Sequence, residues 1–328
     1  MSSKIIAFVN NASGGGLGEK VKEKIADIKD LYIVNLPNDP YSWKSLDKKT
    51  LFDFNTKIIV CGGDGTINWV VSMLMEYYES NKINSRPPIA VLPLGTGNDL
   101  SNMLGWGDSF DSINLFFFQS RFNSIIEGNH TIKNLDVWRV TIYEGEDKKT
   151  EKTMLNYFSI GVDANIAKNF SDAREKMPSL FVSHIASKMM YVPISLATND
   201  GNLLKDFLEG HYIDQDDQQI NFVFDESSKT FVCQAITKIY GGADLWRSNN
   251  RAVDDGLFEV IQTGGVFHLG LHHIGIKASD NIDNAKTAFL KAKKSVFYQI
   301  DGEPFVSDGP ARFLIEKIGS YPMMFAKN

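Results

Sequence analysis

The stretch Thr56-Lys-Ile-Ile-Val-Cys-Gly-Gly-Asp-Gly-Thr66 combines an apolar run with a glycine-rich ending. A short apolar run that stops at glycines is typical of a strand buried on both faces of a sheet. Beyond the glycines, apolar residues recur at helical spacing, at Ile67, Val70, Val71, Leu74 and Tyr78. The segment therefore predicts a strand, a loop and a helix in succession.

Two other segments repeat this pattern. Lys4–Val9 is an apolar run that ends in Asn10–Gly16, and a charged helical stretch, Leu17–Lys29, follows it. Pro88–Leu92 ends in Pro93–Asp99 and a further helical stretch. Short buried strands that alternate with helices predict an α/β domain with a parallel sheet. Because ligands bind at the carboxyl ends of such strands, we expect the three loops to converge on one cleft.

The pattern changes at about residue 131, where strands with alternating polarity begin to dominate. The predicted strands are Leu135–Tyr143, Met154–Ile160, Asn221–Phe224, Thr230–Tyr240, Leu257–Gln262 and Lys286–Asp301. Helical stretches intervene near Ala164–Lys176 and Val182–Ala197. We therefore expect a second domain of mostly antiparallel β structure.

Composition excludes several classes of protein. The 328 residues carry a formal net charge of −6, whereas nucleic-acid-binding proteins usually have a basic excess. The two cysteines, Cys61 and Cys233, are too few for a disulfide framework or a cysteine-rich zinc module, so we expect both to be buried and reduced. No run of 18 apolar residues predicts a transmembrane helix, and the first residues do not resemble a signal peptide. A cytoplasmic protein fits these observations best.

Glycine-rich loops after strands expose consecutive backbone N–H groups, which bind phosphate oxygens. The usual formulae are absent, however. Gly14–Gly18 lacks the G-x-G-x-x-G spacing of dinucleotide-binding proteins, and Lys20 follows Glu19 rather than the glycine of a Walker A loop. The H-R-D and D-F-G motifs of protein kinases are also missing. If the protein is a kinase, it therefore belongs to neither the Walker A class nor the protein kinases.

One combination of motifs is specific. Gly62–Thr66 together with Pro93-Leu-Gly-Thr-Gly-Asn-Asp-Leu100 resembles the catalytic domain of the diacylglycerol kinase family, and Ser101–Gly107 is similar to its eukaryotic branch. Phe8–Gly15 resembles the first phosphate loop of the family, with Asn11 in place of the usual proline. The resemblance continues through the family's accessory region, at Asn156–Ala164, Arg174–Lys176, Gly241–Trp246, Asp254–Leu257 and Asp301–Pro304. It covers nearly the whole chain, in order.

This resemblance implies a domain organisation and a reaction. It implies a nucleotide-binding domain of the NAD-kinase and lipid-kinase type in residues 1–130, an accessory β-rich domain in residues 131–305, and a return of residues 306–328 to the first domain. ATP and magnesium would supply the phosphate, and diacylglycerol at the membrane surface would accept it in a cleft between the domains. The implied location is cytoplasmic, with reversible peripheral membrane association.

The resemblance also assigns residues to ATP. The implied nucleotide contacts are Asn10, Ser13, Gly14, Gly62, Gly63, Gly65, Thr66, Gly95, Thr96, Gly97 and Asn98. Because short polar residues at a helix start commonly cap it, we also expect the side chain of Asn98 or Asp99 to cap the following helix.

Three acidic residues have implied catalytic or metal-binding roles. Asp64 is similar to an aspartate that organises the metal and serves catalysis, and Glu303 is similar to a proposed general base. Either could accept the proton. Asp255 resembles a ligand of a structural magnesium, together with the carbonyl groups of Ala252 and Leu257. Each of the three residues could instead simply belong to a turn. Asp64 and Asp255 each precede a glycine, Glu303 follows Asp301-Gly302, and Asp-Gly is a common turn sequence.

Other functions and sites remain open at this stage. A sphingosine or ceramide kinase shares the scaffold, NAD kinase shares G-G-D-G-T, and a non-enzymatic lipid-binding regulator is an alternative of a different class. His268 and His272 lack a third metal ligand, so they are expected to be ordinary core or surface residues. For membrane attachment, an exposed apolar edge at Leu104–Trp106 or Phe116–Phe118 is one hypothesis, with burial in the core as its alternative.

Overall fold

The computed structural model describes residues 4–46, 53–95, 98–108, 115–146, 148–177, 202–242, 245, 252–265 and 279–327, with only the backbone of residues 115, 116 and 279–281. The predicted helix at Val182–Ala197 and the residues Thr96, Gly97, His268 and His272 lie outside this part. The described residues form two compact units. Those up to Leu135 and from Tyr321 onward form the first, and those from Asp136 to Ser320 form the second.

The first unit is an α/β structure. Its elements are β1 (Ile5–Asn10), α1 (Ser13–Ile25), β2 (Leu31–Leu36), a 3-10 helix (Ser42–Ser45), β3 (Lys57–Gly62), α2 (Asp64–Ser80), β4 (Ile89–Pro93), α3 (Asp99–Met103) and α4 (Leu115–Glu127). The strands lie in the order β4-β3-β1-β2 and pair in parallel. The predicted parallel sheet is therefore confirmed.

Continuous burial explains why these strands are almost uniformly apolar. From Ile58 to Gly62, and along all of β4, every residue is buried, as expected for a sheet with helices on both faces. Helix α1 begins at Ser13, earlier than predicted, and Gly14 to Gly16 within it have left-handed φ angles of 62° to 92°. Its glycine-rich start is thus an irregular turn.

The second unit consists mainly of β structure. Its elements are β5 (His130–Glu144), which begins in the first unit, β6 (Lys148–Met154), β7 (Tyr157–Gly161), α5 (Val162–Lys176), α6 (Leu204–Phe207), β8 (Leu208–Asp214), β9 (Gln219–Asn221), β10 (Thr230–Gln234), β11 (Phe258–Thr263), β12 (Ser279–Ala292), β13 (Phe297–Ile300), β14 (Glu303–Val306) and β15 (Ala311–Ala326). The strands β14-β13-β7-β10-β11-β12-β15 follow one another in the sheet, and each adjacent pair is antiparallel. The predicted antiparallel domain is confirmed.

Four strands of this unit, β6, β8, β14 and β15, were not predicted, and the predicted strand Asn221–Phe224 is wrong beyond its first residue, where β9 ends. Strand β6 has the sequence Lys-Lys-Thr-Glu-Lys-Thr-Met, and it pairs only with β5 within the described part of the chain. An edge strand can carry charges along both faces, so its sequence lacks the apolar alternation that reveals a strand. Strand β8 contains Gly210, a residue that is unusual inside strands. An added Cβ on Gly210 would lie 2.1 Å from the carbonyl oxygen of Phe289, so close packing of the backbones requires the glycine here.

The exposure of individual side chains tests the predictions about the cysteines and about membrane contact. Cys61 and Cys233 are free and buried, as expected. The hypothesis of an exposed edge at Leu104–Trp106 is wrong, because both end residues are 1% exposed and the Trp106 indole donates to the Met324 carbonyl oxygen at 2.7 Å. In the other segment Phe118 is buried, whereas Phe117 is 59% exposed. No helix among the described residues is long and apolar enough to cross a membrane.

Candidate active site

Three loops meet at the carboxyl edge of the parallel sheet. An added Cβ on Gly14, in the loop after β1, would lie 2.5 Å from the carbonyl oxygen of Leu94, just after β4. An added Cβ on Gly95 would lie 2.7 Å from the Cα of Gly63, in the loop after β3. Real Cβ atoms do not come so close to backbone, so only glycine permits this packing. The expected convergence of the loops is present in the structure.

Asn10 ties the first loop to the start of α2. Its side-chain amide donates to the hydroxyl oxygen of Thr66 at 2.9 Å, and its own side-chain oxygen accepts the backbone N–H of Ala12 at 3.1 Å. Ser13 is half-buried, and Gly14 is exposed to solvent. The positive end of the α2 dipole therefore faces loops that are open to an anionic ligand.

The carboxylate of Asp64 joins the second loop to the third. The side chain is 7% exposed, and its two oxygens accept the backbone N–H groups of Asp99 at 2.9 Å and Leu100 at 3.3 Å. These are the first N–H groups of α3, which have no partner within the helix. Asp64 therefore caps a helix that begins 35 residues later. This role was missed from the sequence, which offers no local signal for it.

The prediction that Asn98 caps α3 through its side chain is wrong. Asn98 is the N-cap residue, but its side chain makes no capping bond. Its amide group donates instead to the carbonyl oxygens of Gly95 and Asp108, each at 2.6 Å. Competition from these two carbonyl groups turns the Asn98 side chain away from the helix, and the Asp64 carboxylate takes the capping position.

The oxygen groups of Asp64, Asn98 and Asp99 suit a hydrated magnesium ion. Asp64 and Asp99 are buried carboxylates, the latter 6% exposed, and the side-chain oxygen of Asn98 is buried without a hydrogen-bond partner among the described residues. Magnesium typically binds one or two carboxylates, waters and substrate phosphates. Asp99 was not predicted as a site residue.

Glu303 lies in the second unit, on an exposed hairpin. It pairs with Ile300 across a two-residue turn, in which Asp301 and Gly302 have φ angles of 50° and 84°. Two successive positive φ angles are the signature of the tight turns that join antiparallel strands. The plainer interpretation, a hairpin turn, is therefore correct as a description of the backbone. It leaves the Glu303 carboxylate exposed and free to serve as a base.

Asp301 holds this turn in place. Its carboxylate accepts the backbone N–H groups of Leu155, Asn156 and Tyr157 at 2.8, 2.7 and 3.0 Å, and its own N–H donates to the Tyr157 carbonyl oxygen at 2.9 Å. A buried carboxylate with three such donors is firmly anchored. Sequence reasoning missed this role, because the donors precede Asp301 by about 145 residues.

Asp163 is a second buried acid of this unit. One of its oxygens accepts hydrogen bonds from Ser159, from the Tyr240 hydroxyl at 2.5 Å and from the Gln299 amide at 2.6 Å. The other oxygen is buried without a partner among the described residues. Burial raises the pKa of Asp163 above its ordinary value, although the hydrogen bonds from Ser159, Tyr240 and Gln299 oppose this.

Asp255 occupies an exposed turn, where its carboxylate accepts the N–H of Leu257 at 3.0 Å. The adjacent Gly256 donates to Asp136, whose other oxygen lies 2.6 Å from the Lys317 ammonium group. In the described part of the chain, no three His, Cys, Asp or Glu side chains gather into a metal-binding group. The magnesium role of Asp255 stays a prediction.

Two family models match this chain, one largely within each structural unit. The model of the diacylglycerol kinase catalytic domain matches residues 4–133, and the model of the diacylglycerol kinase accessory domain matches residues 153–304. The two matches are consecutive and together cover most of the chain. The chain belongs to the diacylglycerol kinase family.

Relatives within this family extend over nearly all of the chain. Diacylglycerol kinase 2 of Arabidopsis thaliana is 28% identical over 92% of the chain, and diacylglycerol kinase theta of Mus musculus is 29% identical over 95%. The chain spans 43% and 34% of their lengths. A crystal structure of a diacylglycerol kinase from Bacillus anthracis has the same fold, with a TM-score of 0.58 at 18% identity, covering 98% of this chain and 97% of that one.

Proposed function

We propose that the protein transfers the γ-phosphate of ATP to diacylglycerol and so forms phosphatidic acid. The observation that carries the proposal is the convergence of three glycine-rich loops at one sheet edge in a chain of this family. Backbone N–H groups and the α2 dipole can bind phosphate oxygens there without a basic side chain. Phosphoryl transfer depends mainly on such positioning and charge stabilisation.

In this proposal the loops around Asn10–Gly15, Gly62–Thr66 and Gly95–Asn98 hold the triphosphate, with Thr96 and Gly97 among the contacts. Asp64, with Asp99 beside it, would hold magnesium. When bound, the ion neutralises negative charge on the phosphates. Asn98 contributes its buried side-chain oxygen as a further acceptor.

Glu303 is the proposed general base. It takes the proton of the diacylglycerol hydroxyl group as that oxygen attacks the γ-phosphorus and the bond from this phosphorus to the β,γ-bridging oxygen breaks, which releases ADP. Asp301 supports this role, because its three backbone contacts fix the turn that carries Glu303. Asp64 is less suited to accept the proton, since both of its oxygens already accept backbone N–H groups.

The remaining assignments rest on the family. We propose residues 1–130 as the catalytic domain, residues 131–305 as the accessory domain, and residues 306–328 as a segment that returns to the catalytic domain, which it joins from Tyr321 onward. Diacylglycerol resides in membranes, so the protein would act at a membrane surface by reversible association from the cytoplasm. The inclusion of Tyr321 and its successors in the first unit supports the assignment of the last segment.

The test is transfer of labelled γ-phosphate from ATP to a panel of lipids in mixed micelles. Diacylglycerol, sphingosine and ceramide are offered separately, and the labelled product is identified by chromatography. Label in phosphatidic acid alone is the expected result. Label in a sphingoid base would overturn the proposed substrate, and absence of label from every lipid would overturn the proposed activity.

A further inference from the structure

An exposed aromatic ring lies just beyond β2 in the first unit. Tyr41 is 54% exposed, although most large apolar side chains of this unit are buried. Its ring is tilted by 55° against the ring of Trp69 on α2, with 6.2 Å between the centroids. The ammonium group of Lys44 lies over the Tyr41 ring, 4.6 Å from its centroid, so a base that stacks on this face displaces a flexible lysine side chain.

The segment that carries Tyr41 is anchored. Trp43, two residues further on, is fully buried and packs edge-on against Phe8 of β1 and Tyr77 of α2 at 6.5 and 4.9 Å. The hydroxyl of Tyr32 donates to the Ser42 carbonyl oxygen at 3.1 Å. An exposed ring on an anchored backbone loses little conformational entropy when a ligand stacks on it.

The Tyr41–Trp69 pair lies beside the phosphate-binding loops. Trp69 follows Thr66 by three residues and therefore shares its face of α2. It is five residues from the start of the helix, a rise of about 7 Å. The first loop is tied to the end of β2 as well, because Asn11 donates its N–H to the Leu36 carbonyl oxygen at 3.0 Å. Tyr41 follows the end of β2, and Trp69 lies one turn beyond Thr66, whose hydroxyl contacts the first loop through Asn10.

We propose that the exposed ring of Tyr41, backed by Trp69, is the platform on which the adenine base of ATP stacks. This inference rests on the proposed phosphate-binding loops and adds the base to them. A purine has a flat π surface, and stacking on an aromatic side chain requires no hydrogen-bond pattern. The phosphates lie on the loops, and the base leaves them toward β2. Stacking of this kind makes the base contribute to affinity while discriminating weakly between adenine and guanine.

The experiment compares ADP with inorganic tripolyphosphate, which carries phosphates but no base. Dissociation constants are measured calorimetrically with magnesium for the full chain and for Tyr41→Ala, Tyr41→Phe and Phe54→Ala. Phe54 is the matched control, because its ring is 51% exposed but lies before β3, at the opposite end of that strand from the loops. Circular dichroism verifies that each variant is folded.

The expected result is that Tyr41→Ala weakens ADP binding about tenfold and leaves tripolyphosphate binding unchanged. Tyr41→Phe and Phe54→Ala should bind ADP as the unaltered chain does. The inference is overturned if Tyr41→Ala binds ADP normally, or if it loses ADP and tripolyphosphate equally. If the unaltered chain phosphorylates diacylglycerol in that case, the platform fails and the proposed function stands. If the unaltered chain neither binds ADP nor transfers phosphate, both fail.

Discussion

At the scale of single residues, buried carboxylates hold the turns of the candidate site by binding backbone N–H groups far away in sequence. Asp64 caps α3, and Asp301 fixes the turn before Glu303. Sequence motifs indicated that acidic residues matter at these positions, but not what they bind. A charge-assisted bond between a carboxylate and backbone N–H groups leaves no periodic trace in sequence, so it emerges only from the folded chain.

Replacing Asp301 by asparagine tests the positioning of Glu303. The amide cannot accept all three N–H groups, so we expect the free energy of unfolding to fall by about 2 kcal/mol. We also expect kcat to fall while the KM for ATP is unchanged, because the change affects the base and not the phosphate loops. Urea unfolding and steady-state kinetics measure both. Asp308→Asn is the control, since Asp308 is 79% exposed; an unchanged kcat in Asp301→Asn would contradict the positioning role.

The raised pKa of Asp163 predicts a pH dependence of stability. The folded protein keeps the Asp163 proton at a pH where the unfolded chain has lost it. This contribution is present below the unfolded pKa of about 3.9 and is lost as the pH rises through the raised folded pKa. Asp163→Asn stays neutral, and its amide nitrogen can take the place of the unpartnered oxygen. Its unfolding free energy, measured by denaturant titration, should therefore decline less from acidic to neutral pH than that of the unaltered chain. Equal declines would rule out this explanation.

At the scale of secondary-structure elements, the parallel strands β1, β3 and β4 and their loops were the predictable part of the fold, whereas the parallel strand β2 was not predicted. Apolar runs bounded by glycines are distinctive, because a strand buried on both faces permits little else. Strand β6 was not predictable in this way, since its lysines suit an edge. The convergence of the loops followed from a general property of parallel sheets, whereas the contacts between individual loops did not.

Gly95→Ala tests the packing between the second and third loops. The new Cβ would lie 2.7 Å from the Cα of Gly63, so the loops must separate. We expect ADP affinity to fall about tenfold or more, because the N–H groups that we propose bind phosphate lose their alignment. Gly309→Ala is the matched control, since an added Cβ there meets nothing within 4 Å. Calorimetry that finds normal ADP binding by Gly95→Ala would show that this contact does not shape the site.

At the scale of the whole molecule, the chain builds its first unit from both ends of the sequence. Strand β15 begins in the second unit, but Tyr321, Met323 and Met324 are fully buried members of the first. Met323 pairs in parallel with Ile89 of β4. The family resemblance implied this return, whereas hydrophobic pattern alone did not predict it, because pattern does not reveal which strands become neighbours.

A chain that ends at Ser320 should therefore fail to form a stable first unit. It loses three buried side chains and the acceptor of the Trp106 indole N–H. Loss of even one large buried side chain costs about 2–5 kcal/mol, a large share of the usual stability of a protein. Thermal unfolding measures the effect, and a chain that ends at Ala326 serves as the control. Normal stability after the longer truncation would contradict this assignment.

The most direct test of the central claim is phosphate transfer from labelled ATP to diacylglycerol by the unaltered chain and by Asp64→Asn. The variant keeps the size of the Asp64 side chain, which contacts the start of α3, but lacks the negative charge that we propose holds magnesium. We predict label in phosphatidic acid for the unaltered chain and a rate lower by about 100-fold or more for a folded Asp64→Asn. A folded variant that transfers phosphate at the normal rate would contradict the assignment of this corner as the catalytic site.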